Sequence, residues 1–435
     1  MDLTGQNIAV LGAGRSGAAA ARLVLRLGGA VTVYDVAGRE AFGAVPAEAR
    51  CCPEATVETG RECDADLVVI SPGIETKGAF ASAFAHGARE LIGETELASR
   101  IYKGKVVGIT GTNGKTTTTE LVQRILTAGG VSCEACGNYG RPLSDVVLGE
   151  EVPETVALEL SSFQLETIES LRPDVAVWLN FSPDHMDRYG SVDEYRRAKL
   201  RIFENQGSGD VAVVRLGEEP AGVTVPVTTF SATENGADYE LHGTRIVSHG
   251  ADVVDLAVTK LRGIHNAENA MAALAATRVL GVSADTVIEA LARYAPPLHR
   301  CELVRTLDGV EYINDSKATN LHALESALRS QGRPTVLIAG GKDKGLDYRG
   351  ILPLLTTQVH AAVLIGEIGG ALGRLFSEAV EVREAPTLEE AVQTARRLAV
   401  PGGTVLFSPG TSSFDMFSGY EERGDVFRAA AKALK

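Results

Sequence analysis

The chain has 435 residues, of which 45 % are hydrophobic and 23 % are charged, and its formal net charge is −14. This composition is typical of a globular protein of about two to four domains, and the excess of acidic residues argues against nucleic acid as the main partner. No apolar run has the length of a membrane span and the N-terminus does not resemble a signal peptide, so we predict a cytoplasmic protein without a membrane partner.

Short runs rich in Val, Ile and Leu alternate with helical patterns along the whole chain. Such runs are typical of parallel strands that are buried on both faces, so we predict an α/β fold with three α/β units. The runs, in chain order, are NIAVLG, AVTVYD, DLVVISPG, KVVGIT, TVALELSS, DVAVWLNFS, DVAVVR, TVLIAGG, AAVLIG and TVLFSPG. Breaks are expected near Gly93 and at Pro296-Pro297, where proline stops a helix. They predict three domains: residues 1–93, 94–298 and 299–435.

The first glycine-rich turn follows the first predicted strand. Gly12, Gly14 and Gly17 form the pattern GxGxxG before a helix that ends near Gly28, and Asp35 closes the next strand. Bare backbone amides at a helix N-terminus bind a diphosphate, which is how this pattern holds dinucleotides. The pattern fits a nicotinamide dinucleotide, a UDP-linked sugar, or a tight packing turn without a ligand. The choice between the nicotinamide dinucleotide and the UDP-linked sugar depends on the second glycine-rich turn.

That second turn is GTNGKTT, residues 111–117, between the strand KVVGIT and a helix. Ile109 stands where the strict phosphate-loop pattern has glycine, but the amides, Lys115 for phosphate oxygens and the Thr116 hydroxyl for Mg²⁺ are present. Glu159, at the end of a neighbouring strand, is a further candidate ligand for that ion. A structural turn is the alternative to ATP binding. Two phosphate turns argue against a simple dehydrogenase and favour an enzyme that uses ATP on a nucleotide-linked substrate.

A lysine occupies the apolar face of a predicted helix that begins at the capping box headed by Ser191. At the helical spacing, Lys199 projects between Tyr195 and Phe203, close to Ile202, where a bare ammonium is costly. Charged residues lie on the opposite side: Arg197, Arg201 and Glu204. Either the stem packs while the head reaches water, or burial lowers the pKa of Lys199 and leaves a neutral amine. A neutral amine reacts with CO₂ to give a carbamate, which is an anionic oxygen ligand for Mg²⁺.

Six cysteines are present, and their spacing indicates no disulfide framework. Cys133 and Cys136 form a single CxxC without a second pair. We therefore interpret the cysteines as reduced structural thiols, with a metal or redox site as the alternative.

Seven segments follow one another in order over essentially the whole chain: GITGTNGKTTT, ELSSFQLE, NFSPDHMDRYGSVDEYRRAKLRIF, HNAENAMAALAA, LHRCELV, INDSKATN and SPGTSSFDMFSGYEERG. Together they resemble the Mur ligases. The resemblance implies a three-domain Mur ligase architecture: a Rossmann-like N-terminal domain for UDP, a central P-loop ATPase domain, and a Rossmann-like C-terminal domain that helps bind ATP and the incoming amino acid. It also implies that the first turn holds UDP and not NAD.

Within the family, INDSKATN and the final segment are specific to the members that add D-glutamate. The resemblance therefore implies an ATP-dependent ligase that joins D-glutamate to UDP-N-acetylmuramoyl-L-alanine through an acyl phosphate. Its place would be cytoplasmic peptidoglycan-precursor synthesis, and hence cell-wall biogenesis, cell shape and cell division. ATP, two Mg²⁺ ions and CO₂ as a carbamate on Lys199 are implied as cofactors, and we expect a monomer. The alternatives are a sister ligase for another amino acid and a nucleotide-binding regulator without activity.

The resemblance also implies which residues form the site. Those for the UDP-linked substrate are Gly14, Arg15, Ser16, Asp35, Ser71, Pro72, Gly73 and Asn138. Those for ATP are Gly111, Thr112, Asn113, Gly114, Lys115, Thr116, Thr117, Asn269, Arg300 and Asp315. Those on the D-glutamate side are Thr319, Lys344, Ser413 and Tyr420. The implied metal ligands are Thr116, Glu159, His185 and Lys199, and the implied catalytic residues are Lys115, His185, Lys199 and Lys317.

Overall fold

The computed structural model describes residues 1–186, 188–295 and 298–435, with every side chain there except that of His322. They form an α/β protein with three sheets, as predicted. The chain divides into two compact units, which are described separately. The first comprises residues 1–240, 247–253 and 269–291, and the second comprises residues 241–246, 254–268 and 292–435.

The first sheet has five parallel strands. They are β1 (Asn7–Leu11), β2 (Ala30–Tyr34), β3 (Arg50–Cys52), β4 (Leu67–Ile70) and β5 (Leu91–Gly93). Its helices are α1 (Arg15–Arg26), α2 (Val57–Arg61), α3 (Ala79–Ala85) and α4 (Glu94–Ser99). The order β3-β2-β1-β4-β5 puts β1 in the centre, where Val10 pairs with Val33 and Val69. The first glycine-rich turn therefore lies at the switch point of a Rossmann-like sheet, where ligands bind in such folds.

The second sheet has nine strands. They are β6 (Lys105–Thr110), β7 (Cys133–Gly137), β8 (Thr155–Glu159), β9 (Val175–Trp178), β10 (Val211–Arg215), β11 (Val227–Ser231), β12 (Tyr239–His242), β13 (Arg245–Ser248) and β14 (Ala251–Asp255). The helices in this part of the chain are α5 (Lys115–Ala128), α6 (Leu143–Val147), α7 (Ser162–Leu165), α8 (Val192–Leu200), α9 (Ile264–Val279) and α10 (Ala284–Arg293).

The order of the second sheet is β14-β13-β12-β11-β10-β9-β6-β8-β7. Strand β6 thus lies between β9 and β8, and Ile109 pairs with Val177 on one side and with Glu159 on the other. All three strands are parallel, so their carboxyl ends meet at one edge. The phosphate-loop sequence, the end of β8 and the segment after β9 are brought together there.

The third sheet belongs to the second unit. Its strands are β15 (Glu302–Leu307), β16 (Val310–Asn314), β17 (Thr335–Gly340), β18 (Val359–Ile365), β19 (Glu381–Glu384) and β20 (Thr404–Phe407). Its helices are α11 (Leu321–Arg329), α12 (Leu352–Gln358), α13 (Gly369–Phe376), α14 (Leu388–Leu398) and α15 (Tyr420–Ala433). The order is β15-β16-β20-β17-β18-β19, and only the β15–β16 pair is antiparallel among these neighbours.

Each hydrophobic run that predicts a strand forms one. The domain boundaries near residues 93 and 298 stay a prediction, and the predicted helix stop at Pro296-Pro297 lies outside the described residues. All six cysteines are free thiols, so the prediction of no disulfide framework is confirmed. In the described part of the chain, no helix combines the length and apolar character that crossing a membrane requires.

Candidate active site

The second glycine-rich turn joins β6 to α5. Gly114 has φ = 84°, in the left-handed region, and a Cβ there would lie 2.2 Å from Asn269 Oδ1. A side chain at this position would therefore strain the backbone and collide with the asparagine. Asn269 Oδ1 also accepts a hydrogen bond from the Thr118 hydroxyl at 3.3 Å. The structure thus brings Asn269 against the loop that the sequence assigns to ATP.

Asn180 and Ser182, which follow β9, hold this loop. Both lie in a segment that resembles the Mur ligases, but neither is among the residues that were assigned to the site from the sequence. Asn180 Oδ1 accepts from the Asn113 N–H at 2.9 Å, and Asn180 Nδ2 donates to the Asn113 carbonyl at 3.1 Å. Thr112 Oγ1 donates to the Ser182 carbonyl and accepts from the Ser182 N–H, both at 3.0 Å. These paired bonds fix the loop backbone from a neighbouring strand end. Their position directly after a buried parallel strand is the signal that would have found them.

Two lysine side chains converge on one backbone carbonyl. Lys115 Nζ donates to the Gly111 and Thr112 carbonyls at 2.9 and 2.8 Å, and Lys199 Nζ donates to the same Gly111 carbonyl at 2.9 Å. Lys199 is only 2 % exposed, so the alternative in which its head reaches water is wrong. Burial, and after it the charge of Lys115, hold the pKa of Lys199 well below its ordinary value. A neutral amine of this kind is what carbamate formation requires.

Helix α8 presents Lys199 as the helical spacing predicts. Ser191 Oγ accepts from the Glu194 N–H at 3.1 Å, but the Glu194 carboxylate accepts from the Gly190 N–H instead of from Ser191. The capping box is therefore only half formed. The helix ends at Leu200 and a 3₁₀ turn, Arg201–Phe203, follows it.

Tyr195 is the common neighbour of Lys199 and His185. Lys199 Nζ lies 5.0 Å from the centre of the Tyr195 ring, and the His185 ring lies 6.0 Å from that ring in an edge-to-face arrangement. His185 has φ = 56°, in the left-handed region, and its ring centre is 5.0 Å from that of Phe163. The His185 side chain is 46 % exposed. Two predicted metal ligands thus share one aromatic neighbour, and the imidazole stays open to solvent.

Glu159 ends β8, beside the strand that leads into the phosphate loop. Its Oε1 accepts from Asn138 Nδ2 at 2.7 Å, whereas its Oε2 is buried and forms no hydrogen bond with the described residues. A buried carboxylate oxygen is costly unless a donor or a cation reaches it, so Glu159 fits a Mg²⁺ ligand. Within the described residues, no three or more His, Cys, Asp and Glu side chains form a metal cluster. Hydroxyl, carbamate or ligand oxygens would have to complete the coordination of Mg²⁺.

The first glycine-rich turn is closely packed. A Cβ at Gly17 would lie 1.8 Å from the Gly12 carbonyl oxygen, and a Cβ at Gly12 would lie 2.7 Å from Ser71 Oγ. Ser71 Oγ is buried and forms no hydrogen bond with the described residues. The start of the loop after β4 is therefore in contact with the turn, as their shared assignment to the UDP-linked substrate requires.

Two further residues of that assignment are engaged within the protein. The two Asp35 oxygens accept from the Ala13 and Ala37 N–H groups at 2.7 and 2.9 Å, so Asp35 shapes the turn. Arg15 Nη2 donates to the Gly140 carbonyl, in the loop that contains Asn138. The remaining residues lie at the start of α1 and after β4: Gly14, Ser16, Pro72 and Gly73.

In the second unit, Asp315 is buried directly after β16. Its oxygens accept from Ser408 Oγ at 3.0 Å and from the Cys301 N–H at 3.2 Å. Burial raises the pKa of Asp315 to about 6, although the nearby charge of Arg300 opposes this shift. Arg300 directly precedes Cys301 in the chain, so the hydrogen bond from the Cys301 N–H brings Asp315 to the segment that contains Arg300.

The residues assigned to D-glutamate are also in the second unit. Lys317 Nζ lies 3.6 Å from the centre of the Tyr420 ring, which is a cation–π contact. Ser413 is buried, Thr319 is half-buried, and Lys344 is exposed in the loop after β17. That loop is joined to the Ser413 segment, since the Lys342 N–H donates to the Ser412 carbonyl at 3.0 Å.

Two family models match the chain: the Mur ligase middle domain over residues 109–277, and the glutamate ligase domain of Mur ligases over residues 299–410. The UDP-N-acetylmuramoylalanine–D-glutamate ligase of Geobacter metallireducens is 44 % identical over 448 residues, which cover 100 % of this chain and 99 % of the relative.

Two solved structures share the fold. The UDP-N-acetylmuramate–alanine ligase of Thermotoga maritima has a TM-score of 0.61 at 19 % identity and covers 99 % of this chain and 100 % of its own. The MurF ligase of Thermotoga maritima in complex with ADP has a TM-score of 0.61 at 17 % identity and covers 86 % of this chain and 96 % of its own. The identity to the Geobacter enzyme extends from end to end of both chains and is not confined to the nucleotide loop. The chain therefore belongs to the Mur ligase family.

Proposed function

We propose that this protein is the ATP-dependent ligase that joins D-glutamate to UDP-N-acetylmuramoyl-L-alanine. The observation that carries the proposal is the convergence of Lys115 and Lys199 on the Gly111 carbonyl, at a glycine-rich loop that opens a helix. The name of the full-length relative supports the choice of substrates. The step belongs to peptidoglycan-precursor synthesis, and we place the enzyme in the cytoplasm as a monomer that serves cell-wall biogenesis, cell shape and cell division.

The reaction starts from a carboxylate, which is a poor electrophile. A carboxylate oxygen of the L-alanyl group attacks the γ-phosphorus of ATP, so that an acyl phosphate forms and ADP leaves. The D-glutamate amine then attacks the acyl carbon and loses a proton, and the tetrahedral intermediate expels phosphate to leave an amide. Catalysis of such a transfer consists mainly of positioning and of neutralising charge.

The phosphate loop supplies both of these effects. Its backbone amides and the N-terminus of the 14-residue helix α5 face the phosphates, and the Lys115 ammonium offsets their charge. Arg300 and Asp315 contribute to ATP binding in this proposal, and the D-glutamate side consists of Lys317, Thr319, Lys344, Ser413 and Tyr420.

Mg²⁺ would be held by Thr116 and Glu159 at one position, and by His185 and a carbamate on Lys199 at a second. When bound, Mg²⁺ neutralises phosphate charge and brings anionic groups together. The free, buried Oε2 of Glu159 supports the first position. In the second, the neutral Lys199 amine attacks the carbon of CO₂, an N–C bond forms and one proton is released. An anion then stands beside Lys115 in place of a buried amine.

The proposal is tested by phosphate release from ATP and UDP-N-acetylmuramoyl-L-alanine with D-glutamate, L-alanine or L-lysine. We expect D-glutamate to be the only one of the three amino acids that causes phosphate release. Release with another amino acid would indicate a sister ligase, and ATP binding without any amino-acid-dependent release would indicate a regulator.

A further inference from the structure

Arg188 connects two loops that the mechanism leaves unrelated. Its Nη1 donates to the Pro72 carbonyl at 3.2 Å and its Nη2 to the Ile74 carbonyl at 3.0 Å, in the loop after β4. The Arg188 side chain is only 13 % exposed. A buried guanidinium fork that satisfies two carbonyls is a directional contact that holds the backbone of that loop.

The guanidinium is itself fixed from two other sides. Its Nη2 lies 3.2 Å from Glu166 Oε2, and its Cζ lies 4.4 Å from the centre of the Phe163 ring. Glu166 also accepts hydrogen bonds from the hydroxyls of Tyr189 and of Thr76, which belongs to the same loop after β4. Arg188 is therefore held in one orientation by a carboxylate that contacts both loops.

The hydrogen bond from Arg188 to the Pro72 carbonyl orients the N–H of Gly73. A trans peptide points its C=O and its N–H in opposite directions, and no peptide bond in the described chain is cis. With the Pro72 carbonyl facing Arg188, the Gly73 N–H faces away from it. Gly73 is assigned to the UDP-linked substrate, and its amide is the kind of donor that a diphosphate accepts.

Arg188 also belongs to the turn that carries His185. The Arg188 and Tyr189 N–H groups both donate to the His185 carbonyl, at 3.0 and 3.1 Å. This turn contains the left-handed conformation of His185, which sets its ring beside Tyr195. One residue thus links the turn of a candidate metal ligand to the loop of a candidate substrate contact.

We infer that Arg188 is a positioning residue that couples the UDP-substrate loop, residues 71–74, to the His185 turn. It touches neither ligand and acts through the carbonyls of Pro72 and Ile74. This inference rests on the proposed function. Losing Arg188 weakens binding of the UDP-linked substrate and misplaces His185, while the phosphate loop keeps its own bonds to Asn180 and Ser182.

The test compares Arg188→Ala and Arg188→Lys with Lys77→Ala. Lys77, in the same loop after β4, also forms an ion pair with a later segment, through Glu194 of α8 at 2.7 Å, but its side chain is 81 % exposed, so its loss has little effect. Calorimetry without D-glutamate gives the Kd for UDP-N-acetylmuramoyl-L-alanine and, separately, for ATP. We expect Arg188→Ala to raise the first Kd about 10- to 100-fold, as for lost charge-assisted hydrogen bonds, and to leave the second within about twofold.

Steady-state kinetics should show a higher KM for the UDP-linked substrate together with a lower kcat. Arg188→Lys should recover part of both effects, because an ammonium keeps the charge but not the fork, and Lys77→Ala should match the wild type. If Arg188→Ala does not fold, Glu166→Gln provides a second variant, for which we expect changes in Kd, KM and kcat in the same direction but smaller. The inference would be overturned if Arg188→Ala lost affinity for ATP and for the UDP-linked substrate equally. It would also be overturned if a folded Arg188→Ala kept the Kd, KM and kcat of the wild type. Absence of UDP-substrate binding by the wild type would instead refute the proposed function.

Discussion

The two glycine-rich turns have the same backbone design but differ in charge. Each follows a central parallel strand and opens a helix, and each contains a glycine in the left-handed region, Gly12 at φ = 97° and Gly114 at φ = 84°. Around the first turn, Asp35 bonds to backbone amides and Arg15 to a backbone carbonyl. At the second, two lysine amines meet at the Gly111 carbonyl.

This difference fits the proposed roles of the two turns, in which the first binds the UDP-linked substrate and the second supports phosphoryl transfer from ATP. A turn of bare amides is suited to a diphosphate that stays intact, whereas a phosphoryl group in transfer needs charge that is placed in advance. One of the two lysines at the second turn, Lys115, belongs to the turn, and the other comes from outside it, since Lys199 is 88 residues away from Gly111 in the chain. In the proposed function, the backbone of each turn binds phosphate groups, and the two lysines at the second turn support phosphoryl transfer.

The largest effect is expected from Lys115→Ala. Removing the ammonium leaves the γ-phosphate charge without its clamp, so D-glutamate-dependent phosphate release should fall by about 1,000-fold or more. The melting temperature should stay near that of the wild type. Lys105→Ala, an exposed lysine at the start of the same strand β6, is the matched control and should retain full activity. Near-normal turnover by Lys115→Ala would contradict the proposal that the second turn, unlike the first, supports phosphoryl transfer.

The next largest effect is expected from Lys199→Ala, which should lose about 100-fold or more of the activity if its carbamate neutralises charge at the site. A short carboxylate such as acetate should restore part of the turnover, because its oxygens occupy the position of the carbamate. Lys199→Arg should not respond, since a guanidinium adds a permanent positive charge beside Lys115.

Two controls belong to the Lys199 test. Arg197→Ala, on the exposed side of the same helix, should behave like the wild type. Turnover of the wild type should also fall when CO₂ and bicarbonate are rigorously removed and should return when they are added back. Lys199→Ala with wild-type turnover in CO₂-free buffer would show that the lysine has no such role.

A smaller effect is expected from removing hydrogen bonds that hold the second turn, and it should affect ATP without affecting the UDP-linked substrate at the first turn. Asn180→Ala removes two hydrogen bonds to Asn113, so we expect the KM for ATP to rise about 5- to 10-fold and the Kd for the UDP-linked substrate to stay unchanged. Asn205 provides the control, because its side chain also forms two hydrogen bonds with the backbone, which it donates to the carbonyls of Glu169 and Leu171. If Asn205→Ala raises the KM for ATP as much, the effect is one of general stability.

Much of the fold is readable from local pattern. Runs such as VVGIT and VLIAG are apolar because parallel strands are covered on both faces, and each is a strand in the structure. The helical spacing of Lys199 to Tyr195 and Ile202 placed the lysine on the apolar face of its helix but left open whether its amine reaches water, and the structure shows that it is buried. The short strands β3 and β5, of three residues each, carry too little periodicity to be recognised.

The contacts that complete the site depend on residues far apart in the chain. Asn180 and Asn113 meet because β9 and β6 are adjacent in the sheet, which no local motif records. The two carbonyls that accept hydrogen bonds from Arg188 are more than a hundred residues away from it. The left-handed conformation of His185 is likewise invisible to sequence reasoning, since it is set by the turn that Arg188 and Tyr189 close. The half-formed capping box at Ser191 shows the same limit on a smaller scale.

The most direct test of the division between the two turns is calorimetric titration of the wild type and of Lys115→Ala with UDP-N-acetylmuramoyl-L-alanine, NADH and ATP. We predict binding of the UDP-linked substrate with similar affinity in both proteins, no heat from NADH in either, and weakened ATP binding in the variant alone. Tight binding of NADH, or loss of UDP-substrate binding in Lys115→Ala, would contradict the account.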